Sequence, residues 1–215
     1  MRRVVLASGN PGKLREMQAL LAGCGFEVLP QSAFGIEPPH EDGASFADNA
    51  LIKARHAARL SGLPAIADDS GLDVDALGGR PGIHSARYAG EGCTAADNID
   101  RLLGELADVP AGRRSARFHC AVVFVKDADD PAPLLREGRW EGEIGFGRRG
   151  SDGFGYDPVF IVAGDGRTAA EIPEGEKNRV SHRAQALGAL LSALQEGSDP
   201  TRGLSPQGTV PSRGV

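Results

Sequence analysis

The sequence has few cysteines and no long hydrophobic run. Its three cysteines, Cys24, Cys93 and Cys120, lie far apart and form no C-x-x-C pair. This pattern argues against a disulfide framework and is typical of proteins of the reducing cytoplasm. No stretch approaches the roughly 18 apolar residues of a membrane span, and the apolar run near the first residue is too short for a signal peptide. A soluble, cytoplasmic protein without a membrane partner is therefore predicted.

The chain also lacks an excess of positive charge. Its 24 Lys and Arg residues are outnumbered by 29 Asp and Glu residues, giving a net charge of -5, and this disfavours a nucleic-acid-binding surface. Lysine is especially scarce, since Lys13, Lys53, Lys126 and Lys177 stand against 20 arginines. Three of these lysines lie in or beside polar motifs, where a compact ammonium can approach a phosphate oxygen. A local cluster of cations that holds a small anionic ligand is compatible with this composition.

Hydrophobic periodicity predicts a mixed α/β protein. Strands are predicted at residues 3–7, 26–29, 64–67, 72–76, 116–125 and 134–144, with a further strand start at 157–162. Helices are predicted at residues 14–21, from Ser45 to about Leu60, at 95–106 and from about Ser181 onward. The folded domain is predicted to span residues 1–196. Residues 197–215 are rich in Gly, Pro and Ser, which predicts a disordered tail.

A glycine-rich loop joins the first predicted strand to the first predicted helix. The loop consists of Ser8, Gly9, Asn10, Pro11, Gly12 and Lys13. It is not a P-loop, because a P-loop has four residues between its first Gly and its Gly-Lys pair, whereas two residues separate Gly9 from Gly12. Backbone N–H groups and a helix N-terminus at one place nevertheless favour an anion beside Lys13. The alternative is a tight turn with an exposed lysine.

Glu41, Asp68 and Asp69 form an acidic candidate site. Adjacent carboxylates repel each other, and a bound cation relieves that repulsion. Oxygen ligands without a His or Cys companion favour Mg²⁺ or Mn²⁺ over zinc. Neighbours in an extended strand point to opposite faces, so one site for both aspartates requires Ser70-Gly71 to turn the chain. The alternative is an aspartate pair that caps a helix or stabilises a turn.

Two further polar segments are candidate ligand contacts. Residues 151–158 place Phe154 and Tyr156 among glycines, where a ring can stack on a nucleobase; the alternative is that both rings pack inward. Residues 176–183 are polar and basic and can close over a ligand, or serve as a helix cap and a solvated charge run. Lys53 lies one helical turn after Asn49 and is predicted to join the phosphates. Together these segments supply what a nucleoside triphosphate needs.

Five motifs resemble those of the inosine triphosphate pyrophosphatase family, also called dITP/XTP pyrophosphatases. They occupy residues 8–13, 68–72, 81–88, 153–158 and 181–183, within a resemblance that runs from about residue 4 to about residue 195. The resemblance implies an elongated α/β fold whose mixed central sheet is flanked by helices, with a nucleotide cleft between two lobes, and a homodimer. It also implies hydrolysis of ITP, dITP and XTP to the monophosphate and pyrophosphate.

The same resemblance implies roles for individual residues. Residues 8–13 are implied to bind the triphosphate. Glu41 and Asp69, together with Asp68, are implied to hold Mg²⁺, with Asp69 accepting the proton of the attacking water. The other implied substrate contacts are Ser70, Phe154, Gly155, Tyr156, Asp157, Lys177, His182 and Arg183.

Base selection and two rival functions remain open. Donors of the His182-Arg183 segment are predicted to favour O6 of hypoxanthine or xanthine over the amino group of adenine. A non-catalytic nucleotide sensor predicts binding of a triphosphate without release of pyrophosphate. A phosphotransferase or GTPase-like switch predicts release of orthophosphate.

Overall fold

The computed structural model describes residues 2–196, which form a mixed seven-stranded sheet flanked by helices. The strands are β1 (Arg2–Ala7), β2 (Phe26–Pro30), β3 (Ala65–Val74), β4 (Pro81–Gly82), β5 (Ser115–Val125), β6 (Leu134–Ile144) and β7 (Phe160–Val162). The helices are α1 (Pro11–Leu21), α2 (Phe46–Ser61), α3 (Ala95–Glu105), α4 (Glu174–Val180) and α5 (His182–Glu196). The α/β class is therefore confirmed. The predicted tail, residues 197–215, lies outside the described residues.

The sheet has the strand order β2-β1-β3-β5-β6-β7, and β4 pairs with β3. Strand β1 runs parallel to β2 and β3, whereas the pairs β3–β5, β5–β6 and β6–β7 are antiparallel. The predicted antiparallel pairing of residues 116–125 with 134–144 is confirmed. Because α1 follows β1 directly, the helix N-terminus stands at the carboxyl end of β1, beside the centre of β3.

The two strands predicted at 64–67 and 72–76 are one continuous strand, and the predicted turn at Ser70-Gly71 is wrong. Strand β5 pairs with β3 along its whole length, from Ala65 opposite Val125 to Val74 opposite Ala116. Gly71 serves a close approach rather than a turn, because a Cβ there would collide with the carbonyl oxygen of Gly82. Asp68 and Asp69 consequently point to opposite faces of the sheet.

Three hydrophobic clusters surround the sheet. One packs α2 against one face of β1, β3 and β5, and a second packs α1 and α5 against the other face. The third joins α3 to the far half of β3, β5 and β6 and includes Tyr88, Phe118, Trp140 and Phe160. No helix in residues 2–196 combines the length and apolarity that a membrane crossing requires.

One other boundary differs from the prediction. The segment predicted as a strand start at 157–162 begins with a 3-10 helix, Asp157–Val159, and only Phe160–Val162 is strand. The predicted helix start near Ser181 is confirmed, since α5 begins at His182, and a further helix, α4, ends at Val180 just before it. Ser181 lies between them, and its hydroxyl accepts a hydrogen bond from the Ala184 amide.

Candidate functional site

The predicted site residues line a cleft made of two adjoining cavities. The first, of about 510 Å³, is lined by Ser8, Gly9, Asn10, Pro11, Lys13, Glu41, Lys53, Asp69 and Ser70, among others. The second, of about 100 Å³, is lined by Asn10, Lys13, Ser70, Phe154, Gly155, Tyr156, Asp157, His182 and Arg183, among others. Asn10, Lys13 and Ser70 belong to both walls, so the two cavities are direct neighbours. Residues far apart in the sequence therefore converge on one place.

Three predicted residues do not line either cavity. Gly12 and Lys177 line a third cavity of about 230 Å³ on another side of Phe154. Gly12 lies directly beneath the aromatic ring, because a Cβ at this position would be 2.7 Å from Phe154 Cδ1. Asp68 lines none of the three cavities.

The glycine-rich loop is held by Asn10, which caps α1. The Asn10 side-chain oxygen accepts hydrogen bonds from the amides of Gly12 at 2.9 Å and Lys13 at 3.2 Å. An Asn at the N-cap satisfies helix amides that would otherwise lack partners. The loop thus presents the positive end of α1 toward the larger cavity. Lys13 is half-buried rather than freely exposed, contrary to the simple-turn alternative.

Asp69 and Glu41 meet at the buried ammonium group of Lys53. Lys53 Nζ lies 2.8 Å from Asp69 Oδ1 and 3.2 Å from Glu41 Oε2. The side-chain amide of Asn49 donates to Asp69 Oδ2 at 3.4 Å. Asn49 and Lys53 therefore both contact Asp69, as expected for two residues one turn apart on α2. Burial alone would lower the pKa of Lys53, but the charges of Asp69, Asp68 and Glu41 outweigh it and raise that pKa. Lys53 is therefore a permanent cation of the cleft.

Asp68 faces the other side of the sheet and pairs with different cations. Its Oδ2 lies 3.0 Å from Lys13 Nζ and 3.5 Å from Arg183 Nε, and it accepts a hydrogen bond from Ser70 Oγ at 2.7 Å. Burial raises the pKa of Asp68, but Lys13, Arg183 and Lys53 together hold it well below its usual range. Asp68 thus anchors two site cations, and its position removes the geometric basis for its predicted role beside Glu41 and Asp69.

Phe154 forms a half-buried aromatic wall that contacts two cations. Lys177 Nζ lies 5.3 Å from the ring centroid, and Arg183 Cζ lies 4.9 Å from it, both within cation–π range. Tyr156 instead packs inward, because its hydroxyl donates to the buried Ser85 carbonyl at 2.9 Å. The stacking hypothesis therefore fits Phe154, and the inward-packing alternative fits Tyr156.

His182 is a buried, uncharged imidazole at the end of the smaller cavity. Its ring stacks on Phe118 with centroids 4.9 Å apart and an interplanar angle of 15°. Among the described residues, neither ring nitrogen has a hydrogen-bond partner. Burial, reinforced by the charges of Arg183 and Lys177, lowers the pKa of His182 well below its usual value. A neutral imidazole offers one donor and one acceptor to a ligand.

Glu16 is the site residue that the sequence analysis missed. Its carboxylate lies 3.0 Å from Lys177 Nζ and 2.5 Å from Arg183 Nη1. Lys177 also lies 2.6 Å from Asp157 Oδ2. Burial raises the pKa of Glu16, but Arg183 and Lys177 outweigh it and lower that pKa. The sequence offers one indication of this role: Glu16 follows Gly12 by one helical turn and belongs, with Met17, to the buried side of α1.

Within residues 2–196, no group of three or more His, Cys, Asp and Glu side chains is arranged to hold a metal ion. Glu41 and Asp69 line the same cavity and share Lys53. Their carboxylate oxygens are donors of the kind that hard divalent cations prefer.

The chain matches the family model described as the Ham1 family over residues 4–193. A curated relative from Methylococcus capsulatus, named dITP/XTP pyrophosphatase, is 64% identical over 194 residues that cover 90% of this chain and 96% of the relative. A relative of the same name from Erwinia tasmaniensis is 54% identical over 92% of this chain and 96% of its own length.

Solved structures give the same result. A HAM1 protein from Coxiella burnetii has a TM-score of 0.84 and 49% identity, covering 91% of this chain and 100% of that one. A dITP/XTP pyrophosphatase from Mycobacterium abscessus has a TM-score of 0.70 and 45% identity, covering 88% of this chain and 98% of that one. The resemblance seen in the five motifs is confirmed, and the chain belongs to the Ham1 family.

Proposed function

We propose that this protein hydrolyses the non-standard purine nucleoside triphosphates dITP, ITP and XTP to the nucleoside monophosphate and pyrophosphate. The observation that carries the proposal is that the required groups meet in one cleft. A helix N-terminus with Lys13, a carboxylate pair with Lys53, and the aromatic wall of Phe154 line two neighbouring cavities. Curated relatives, among them one with 64% identity, bear the name of this activity.

The triphosphate would lie along the larger cavity. The N-terminus of α1, Lys13 and Lys53 are cationic or partly positive groups there, and they stabilise negative charge on the pyrophosphate leaving group. Ser8 adds a hydroxyl donor at the same wall, whereas the hydroxyl of Ser70, which lines it too, donates to Asp68. Asp68 fixes the Lys13 ammonium through the 3.0 Å ion pair, so the cation is positioned before substrate arrives.

Glu41 and Asp69 are the residues that fit a divalent cation, Mg²⁺ or Mn²⁺. Two carboxylates with waters and substrate phosphates form a usual magnesium environment, which agrees with the donor set of this cavity. When bound, such an ion neutralises phosphate charge and acidifies water. Asp68 is not included, because its carboxylate is turned toward Lys13 and Arg183.

Asp69 is the proposed general base. We assign it to take the proton of a water that attacks the α phosphorus in line with the leaving pyrophosphate. The amide of Asn49 and the ammonium of Lys53 hold its two oxygens. A base fixed in this way needs no reorganisation when the proton is transferred.

Base selection is assigned to the smaller cavity. Phe154 offers a face on which a purine stacks, and the Arg183 guanidinium and the unpartnered nitrogens of His182 offer polar contacts. Donors at this place match O6 of hypoxanthine and xanthine, whereas the amino group of adenine would leave a donor facing a donor. Lys177 and Asp157 complete the polar surroundings through their 2.6 Å ion pair.

The activity would act on the cytoplasmic nucleotide pool and keep these bases out of DNA and RNA. We further propose that the protein is a homodimer, as the family resemblance implies. Size-exclusion chromatography with light scattering tests that assembly.

One product assay tests the function. The purified protein is incubated with ITP and Mg²⁺, and pyrophosphate, orthophosphate and IMP are quantified, with ATP and GTP as competing substrates. Release of pyrophosphate with IMP supports the proposal. Orthophosphate favours a phosphatase or switch, binding without release favours a sensor, and equal rates on ITP, ATP and GTP would refute the base selection.

A further inference from the structure

The motif at residues 81–88 supplies no group to the proposed chemistry. In the structure it lines a separate cavity of about 280 Å³, here called the arginine pocket. The arginine pocket is formed by Arg80, Pro81, His84, Arg87, Tyr88 and Arg101. Three of these six residues are arginines, so the chemistry of the wall needs an explanation.

The arginine pocket has an excess of positive charge. No carboxylate is among the described residues that line it. Among the described residues, the carboxylates that pair with its arginines are Glu105, which lies 2.9 Å from Arg80 Nη1 and 2.9 Å from Arg101 Nε, and Glu91, whose Oε1 is 3.8 Å from Arg87 Nε. Glu91 is 90% exposed and screens Arg87 weakly. Three guanidinium groups thus outnumber two carboxylates.

Two of the three arginines, Arg80 and Arg101, are held by neighbouring groups before any ligand binds. Tyr88 donates its hydroxyl proton to Glu105 Oε2 at 2.6 Å. The Arg101 guanidinium lies 4.5 Å over the Tyr88 ring and donates to the Tyr88 carbonyl. Arginine presents several N–H donors in a planar fork that matches phosphate oxygens. Fixed guanidinium groups around a cavity are therefore suited to a small phosphate-type anion.

Arg87 connects the arginine pocket to the cleft. Its side chain lines both the arginine pocket and the 510 Å³ cavity that holds the glycine-rich loop. It lies at the phosphate part of the cleft rather than at the aromatic wall, because the smaller cavity includes Ala86 but not Arg87. An anion that leaves the phosphate part thus meets a further cationic site next to it.

We propose that the arginine pocket is a second anion site that receives inorganic pyrophosphate as it leaves the cleft. The inference rests on the proposed function, which supplies pyrophosphate as a product. The diphosphate chemistry recognised here is shared by free pyrophosphate and by the terminal phosphates of a bound triphosphate, and the experiment distinguishes them.

The test is isothermal titration calorimetry of the full chain with sodium pyrophosphate, without nucleotide. The wild type is expected to bind at two sites. Arg80→Gln and Arg101→Gln are expected to weaken one site by about tenfold, the scale of one lost charge-assisted hydrogen bond, and to leave the other unchanged. Arg80→Lys keeps the charge but not the planar fork of donors, and its pyrophosphate affinity is expected to lie between those of the wild type and Arg80→Gln. Since the Arg80 side chain is 56% exposed, these variants of Arg80 are expected to fold.

Arg59→Gln is the matched control. It removes the same charge from a side chain that is 64% exposed and 3.8 Å from Asp129 on another surface, and its isotherm is expected to match the wild type. A single pyrophosphate site in the wild type, or unchanged isotherms in both glutamine variants, would overturn the inference. A raised KM for ITP in Arg80→Gln and Arg101→Gln, with unchanged pyrophosphate affinity, would also overturn it, because the pocket would then hold the phosphates of the bound substrate. Failure of the wild type to hydrolyse ITP refutes the proposed function instead.

Discussion

Replacement of Glu16 by Gln tests whether the missed carboxylate positions the site cations. Glu16 is buried on α1, with 7% of its side chain exposed. It contacts Lys177 and Arg183, the two cations that lie within cation–π distance of Phe154. Gln keeps the shape and one acceptor oxygen but removes the negative charge. The substitution therefore changes the electrostatic interaction with Lys177 and Arg183 rather than the packing of the helix.

The structure sets the expected magnitude. Breaking a buried ion pair outright costs about 3–5 kcal/mol. Here neither cation is left alone, because Arg183 keeps Asp68 at 3.5 Å and Lys177 keeps Asp157 at 2.6 Å. The loss is then closer to that of charged hydrogen bonds, about 2 kcal/mol of unfolding free energy. The KM for ITP is expected to rise about tenfold, because Lys177 and Arg183 are no longer held in position for the substrate. A tenfold rise corresponds to a loss of about 1.4 kcal/mol of binding free energy.

Urea denaturation and steady-state kinetics with ITP measure the two effects. Glu27→Gln is the control, since Glu27 and its partner Arg3 are 3.8 Å apart and about half exposed. An exposed pair of this kind contributes less than about 1 kcal/mol. If Glu16→Gln is as stable as Glu27→Gln and has the KM of the wild type, the positioning role of Glu16 is refuted.

Three further predictions concern single residues. Asp69→Asn removes the proposed base and is expected to lower kcat for ITP by about 10²–10⁴-fold, with folding checked by circular dichroism; near-normal turnover contradicts the assignment. Gly12→Ala places a Cβ 2.7 Å from Phe154 Cδ1 and is expected to raise KM several-fold. Gly188→Ala, a helical glycine with open space around it, is its neutral control, and equal KM values for the two variants would argue against the contact. The depressed pKa of His182 means that the unfolded chain takes up a proton first as pH falls. The free energy of unfolding should therefore fall as the pH is lowered below about 6.5, by up to about 1.4 kcal/mol per pH unit from this one group. Thermal denaturation from pH 7.5 to 5 should show a shallower loss in His182→Asn, and identical slopes would contradict a neutral buried imidazole.

Most of the fold could be predicted because its elements carry strong local signals. The helix from Phe46 to Ser61 follows an N-cap serine, and strand β6 coincides with the predicted residues 134–144. The strand at Ala65–Val74 was missed as a single element because Gly71 is also a turn residue. The glycine at position 71 is explained by the neighbouring strand, since the carbonyl of Gly82 leaves no room for a side chain there. That contact joins residues far enough apart that no local pattern reports it.

The same limit applies to the candidate site. The motifs predicted which residues meet, and Lys13 and Asp69 do line one cavity. The motifs could not predict that Asp68 and Asp69 serve opposite faces, because that depends on β3 remaining extended. Glu16 carries no motif signal, and its importance follows only from the approach of Arg183, whose Nη1 lies 2.5 Å from its carboxylate.

The most direct test of the central claim is the fate of an oxygen atom from water. ITP is hydrolysed in H₂¹⁸O with Mg²⁺, and both products are analysed by mass spectrometry. Attack on the α phosphorus, with Asp69 as base, predicts the label in IMP and unlabelled pyrophosphate. Label in pyrophosphate, or release of orthophosphate, would contradict the arrangement of base, cations and triphosphate described for this cleft.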